Sequence, residues 1–135
     1  MSSGEDSQKF RFTITGFEVV TDGASGDRFA VFNAEIAVGD LVPHRISKRY
    51  SEHRRIHDEL AGALPWSLPP FPSRKFDLFT SFHTIDPPTL RTRVDQLNAY
   101  YSSLFSNPSW ITCEKLHTLF DLPQEHRVAI IQSLL

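Results

Sequence analysis

The chain has a single cysteine, Cys113, in 135 residues. That excludes a disulfide framework and any cysteine-built zinc site, and it suits a reducing compartment such as the cytoplasm. No apolar run approaches the 18 residues that a membrane-spanning helix needs. The start, Met1-Ser2-Ser3-Gly4-Glu5-Asp6, lacks the basic and apolar regions of a signal peptide. Position 2 is not Gly, so N-myristoylation is not indicated. No Gly-x-x-x-x-Gly-Lys phosphate loop and no Gly-x-Ser-x-Gly elbow occurs, so no enzyme motif and no cofactor is expected. His53 and His57 have the i, i+4 spacing of helical metal ligands, but Arg54 and Arg55 flank them and no third ligand is evident. Cys113 and His117, one helical turn apart, share an apolar face with Leu116 and Phe120. They read as a core pair rather than a thiolate dyad.

What is present is an ordinary globular composition: 40% hydrophobic, 22% charged, and eleven Phe. That is enough for one domain with a real core. Net charge is only −2 but unevenly spread. Residues 1–40 carry three basic and seven acidic groups, residues 41–93 nine and five, and residues 94–135 two and four. A basic middle between acidic flanks implies a local field. Its basic residues do not interleave with exposed aromatics, so it does not read as a nucleic-acid platform.

Residues 1–8 are small and polar and are expected to be disordered. Residues 10–20 alternate, with Phe10, Phe12 and Ile14 on one face, until Gly16 shifts the phase as a bulge would. Residues 28–38 alternate through Phe32, Ala34, Ile36 and Val38, and residues 43–50 read as a third strand. Helical spacing follows. Ser51 is the expected N-cap of a helix with Ile56, Leu60 and Leu64 on its apolar stripe. Pro65 to Pro72 should be extended polyproline II, and residues 75–86 a loop. Asp86 should cap a long helix with Pro87 at its first position and Leu90, Val94, Leu97, Tyr101 and Leu104 inward. Asn107-Pro108 starts another helix, facing inward through Trp110, Cys113, Leu116, His117 and Phe120. A last one should pack through Val128, Ile131 and Leu134 or Leu135. The fold class is α+β: a three-stranded antiparallel meander against three to four helices, with a polyproline loop.

Three basic clusters stand apart in the chain: Arg45 to Arg55, then Arg74-Lys75, then Arg91 and Arg93. Arg93 adjoins the apolar stripe and has Leu97 rather than an acid at i+4. Its guanidinium therefore sits at the rim of the core, where it needs an anion.

These clusters carry a family resemblance. Lys48-Arg49-Tyr50-Ser51-Glu52, Leu68-Pro69-Pro70-Phe71-Pro72-Ser73-Arg74, and Arg93 followed by Leu97 and Tyr100 resemble, in order, three motifs of the phox-homology (PX) domain. The resemblance spans about residues 10–122. It implies a non-catalytic phosphoinositide-binding module over residues 9–123, with residues 124–135 as a C-terminal helical extension. Such a module is peripheral on endosomal membranes, most often through phosphatidylinositol 3-phosphate, and acts in membrane trafficking. By position, Arg49 would bind the 3-phosphate and Tyr50 would pack on the inositol ring. Arg74, aided by Lys75, would meet the 1-phosphate, and Arg93 the ring hydroxyls. His53 stands where the family usually has Phe. Arg49 and Tyr50 are neighbours, so strict alternation would send them to opposite faces, and the strand must end or twist there.

The resemblance also implies a membrane-inserting loop with Phe76, Leu78 and Phe79 at the bilayer and Phe82 inward. The alternative is that these side chains simply fill the core beneath the loop. A second reading takes Pro69-x-x-Pro72-x-Arg74 as a ligand for an SH3 domain. The chain stops on an apolar helical face, as a segment of a longer parent would, and that parent would supply any effector.

Overall fold

The computed structural model describes residues 10–63, 66–72 and 86–133. Three strands, β1 (Arg11–Thr21), β2 (Arg28–Ala37) and β3 (His44–Arg49), form an antiparallel sheet in chain order. Among the described residues five helices follow: α1 (Tyr50–Ala63), α2 (Pro87–Leu104), α3 (Pro108–Ile111), α4 (Glu114–Leu119) and α5 (Gln124–Ser133). The alternation read from the sequence is the alternation of burial. Phe32, Ala34, Ile36 and Val38 are all buried. In β1 the pairing slips between Ile14 and Gly16, so the inward phase passes from Ile14 to Phe17. The β1–β2 turn closes through Asp22 N–H to Asp27 O (2.7 Å) and Gly26 N–H to Asp22 O (2.8 Å). Gly26 sits at φ +78°, where a Cβ would be strained.

β1 is an outer strand, and α2 seals part of its edge. The Asn98 amide accepts from Ile14 N–H (2.8 Å) and donates to Ile14 O (3.0 Å), replacing a neighbouring strand for one residue. Asn98→Ala should lower stability by about 2 kcal/mol, one net hydrogen bond each way. Thermal unfolding followed by circular dichroism would show this as a melting temperature several degrees lower.

α2 begins as expected: Asp86 is extended, its carboxylate accepts from Thr89 N–H (3.2 Å), and Pro87 takes the first position. Leu90, Leu97, Tyr101 and Leu104 are buried and Val94 is half-buried. Arg93 and Tyr100 join the buried face.

Three expectations need correction. Ser51 is not the N-cap of α1, because the helix already starts at Tyr50. Arg49 holds the cap position, and Glu52 reaches back to accept its N–H (2.7 Å). The helix expected from Asn107 is two short ones. Thr112 and Cys113 interrupt it, and Cys113 is extended at the start of α4. The β-branched pair Ile111-Thr112 favours that break. All five expected inward residues are nevertheless buried. α5 faces inward through His126 and Ile130, leaving Val128 and Ile131 exposed. The His126 ring reaches the Val42 carbonyl (2.8 Å), which fixes the helix rotation. Leu134 and Leu135, like residues 1–8 and Leu64, lie outside the described residues.

Candidate anion-binding site

β3 passes into α1 without an intervening residue: Arg49 ends the strand and Tyr50 opens the helix. This resolves the alternation conflict, because a side chain at the first helical position no longer obeys the two-residue period. Arg49 is exposed, its guanidinium carbon 4.3 Å from the centre of the Phe29 ring. Tyr50 is half-buried, and its ring carries the Arg93 guanidinium at 3.9 Å. Its hydroxyl donates to the Pro72 carbonyl. One tyrosine thus ties together the end of β3, the buried arginine of α2 and the end of the proline segment.

Arg93 is 6% exposed, so its stack on Tyr50 is shielded from water, where a cation–π contact is strongest. Beside it lies a cavity of about 180 Å³ lined by Pro88, Thr89, Thr92, Arg93 and Gln96. Phe71 packs on Tyr50 (5.4 Å between ring centres), Tyr100 (5.0 Å) and His57 (5.6 Å). At the other end of the proline segment, Trp110 Nε1–H donates to Ser67 O (3.0 Å). The segment is therefore pinned at both ends against the helices, with Pro69 and Pro72 half-buried. The junction offers two guanidiniums of different character, one exposed and stacked on Phe29, one buried and stacked on Tyr50. That is chemistry suited to an anionic, hydroxyl-bearing ligand.

A family model of the PX domain matches residues 37–123, most of the chain and all three motifs. The chain belongs to the PX domain family. PX domains are in general non-catalytic modules that bind phosphoinositides and recruit proteins to membranes. Two solved structures share the fold. One is a designed CISK-PX domain, with TM-score 0.66 and 21% identity, covering 80% of this chain and 95% of that one. The other is the mouse SNX19 PX domain with a bound sulphate ion, with TM-score 0.58 and 16% identity, covering 85% and 98%. A search of curated proteins gives no match.

In this PX domain Arg93 stacks on Tyr50, and Arg49, the residue before Tyr50, lies on the Phe29 ring. Arg74, Lys75, Phe76, Leu78, Phe79 and Phe82 lie outside the described residues. The other histidine and cysteine candidates are absorbed by the fold. His53 is fully buried, its Nε2 facing the Phe32 carbonyl (3.4 Å) and its Nδ1 at 2.8 Å from the Tyr101 hydroxyl. Burial, with a smaller contribution from Lys48, pushes its pKa down to about 4. His57 Nδ1 meets the Tyr100 hydroxyl at 2.8 Å, and burial lowers its pKa. Each pair joins α1 to α2, so both histidines are structural. Among the described residues no three metal-binding side chains cluster. Cys113 is buried, and His117 Nε2 donates to Ile111 O (2.7 Å). Within the described residues no helix is long and apolar enough to cross a membrane.

Sequence reasoning missed Phe29 and Phe71. Phe29 belongs to the site only through the β2–β3 register, which has no local signature. Phe71 sits within the proline motif, but its three ring partners come from α1 and α2.

Proposed function

We propose that this PX domain binds phosphatidylinositol 3-phosphate and recruits its parent protein, from the cytoplasm, to endosomal membranes. The observation that carries the reading is the junction itself: Arg49 exposed at the strand end, with Arg93 buried on the neighbouring Tyr50. Arg49 takes the 3-phosphate, since a phosphate monoester accepts two parallel N–H donors from a guanidinium. Arg93, immobile on Tyr50, serves the ring hydroxyls. Arg74 and Lys75 follow the pinned Pro72 by two and three residues and take the 1-phosphate. Tyr50 supports the site by holding Arg93 and Pro72, beside any contact with the inositol ring. Phe76, Leu78 and Phe79 enter the bilayer, where each side chain adds roughly 1.5–3 kcal/mol if fully buried. The sulphate recorded for the mouse relative supports the reading, because sulphate has the shape and charge of a phosphate.

Liposome sedimentation against each mono- and bis-phosphorylated phosphoinositide tests it. The expected result is preference for the 3-phosphate. Equal binding to every anionic liposome, or binding confined to bis-phosphorylated lipids, overturns it.

The SH3-ligand reading is less well supported. Pro69 and Pro72 are half-buried and line a groove with Gln96, Ala99 and Tyr100 of α2. Presenting both prolines to a partner would require the segment to leave Trp110 and Tyr50.

A further inference from the structure

β3 ends opposite Val31, but the β1–β2 hairpin continues for three more pairs: Val19–Ala30, Val20–Phe29 and Thr21–Arg28. The hairpin therefore overhangs the point where the chain turns into α1. With no third strand beyond Arg49, the half-buried Phe29 keeps one ring face uncovered by the sheet, and the Arg49 guanidinium occupies it at 4.3 Å. Resting on the headgroup reading above, we propose that this overhang is the holder of the phosphate-binding arginine: Phe29 fixes the aim of Arg49.

An exposed arginine on an open strand end samples many rotamers, and each must be given up when it grips a phosphate. A ring face against the planar guanidinium narrows that set while leaving the N–H edges free to donate.

The test uses water-soluble short-chain phosphatidylinositol 3-phosphate and a bis-phosphorylated analogue, titrated calorimetrically at low salt. Phe29→Leu, which keeps apolar bulk but loses the ring, should weaken both about two- to five-fold. Phe29→Tyr should bind like wild type. A purely structural role for Phe29 predicts a drop in melting temperature in Phe29→Leu that parallels its loss of affinity. That outcome, or wild-type affinity in Phe29→Leu, overturns the proposal. Arg49→Ala serves as control: if it binds like wild type, the headgroup reading itself has failed.

Discussion

Arg49→Ala should reduce affinity for phosphatidylinositol 3-phosphate by about 100-fold or more while leaving the domain folded. A bidentate guanidinium–phosphate contact makes two charge-assisted hydrogen bonds, each about 1.5–3 kcal/mol, and a loss of about 3 kcal/mol already exceeds 100-fold. The folded state loses little, because Arg49 is exposed and its stack on Phe29 is of the exposed kind, about 0.5–1 kcal/mol. Arg93→Ala should behave differently. Its guanidinium is buried on Tyr50, so truncation removes a ligand contact and opens a gap between α2 and the strand end. Binding and melting temperature should both fall. Arg93→Lys should keep the charge but lose the planar stack, so binding should fall with a smaller thermal effect. Isothermal titration with a soluble headgroup, beside thermal unfolding of each variant, separates the two arginines. Wild-type binding by Arg49→Ala would remove it from the site.

The difference between these arginines was partly legible in the sequence. Arg93 stands between residues whose spacing marks the core face of a long helix, so its placement at the core follows from periodicity alone. Arg49 was legible as charge but not as geometry. Its position depends on β3 stopping at that residue, and the stop comes from Tyr50 and Glu52 starting a helix rather than from any breaker. The Gly16 bulge and the Asp86-Pro87 helix start were visible because each uses local chemistry that has few alternatives. The break between α3 and α4 was hidden, because Trp110, Cys113, Leu116 and Phe120 keep a helical period across it. α5 misled for the opposite reason. It has apolar residues on two faces, and the choice falls to His126 and its bond to Val42, residues 84 positions apart. Long-range pairs of this kind leave no trace in a window of one helix.

His53 is such a pair, and it should make the domain acid-labile. The Phe32 carbonyl can only accept, so Nε2 carries the ring proton and Nδ1 accepts from the Tyr101 hydroxyl. A second proton would reverse the Nδ1 bond and place a charge in a fully buried position, and that charge is the main cost. The pKa is about 4 in the folded state against an ordinary 6.5 in the unfolded chain. The unfolded state therefore takes up the proton first as pH falls. The stability is fully present above pH 6.5 and is lost as pH drops toward 4, about 2 kcal/mol by pH 5 and about 3 kcal/mol in all. Partly buried His57 acts in the same direction. Carboxylates begin to titrate near the bottom of this range, so pH 5 to 7 is the informative window. His53→Phe keeps a ring in the core and removes the titrating group. At neutral pH it should be somewhat less stable than wild type, because the buried Tyr101 hydroxyl loses its acceptor, a cost of about 1–3 kcal/mol. Between pH 7 and 5 its urea-unfolding free energy should fall much less than that of wild type, so that the two curves converge. Parallel curves would mean that His53 is already charged in the fold or that the unfolded state protects it equally, and either would refute the assignment of this histidine as a neutral core acceptor.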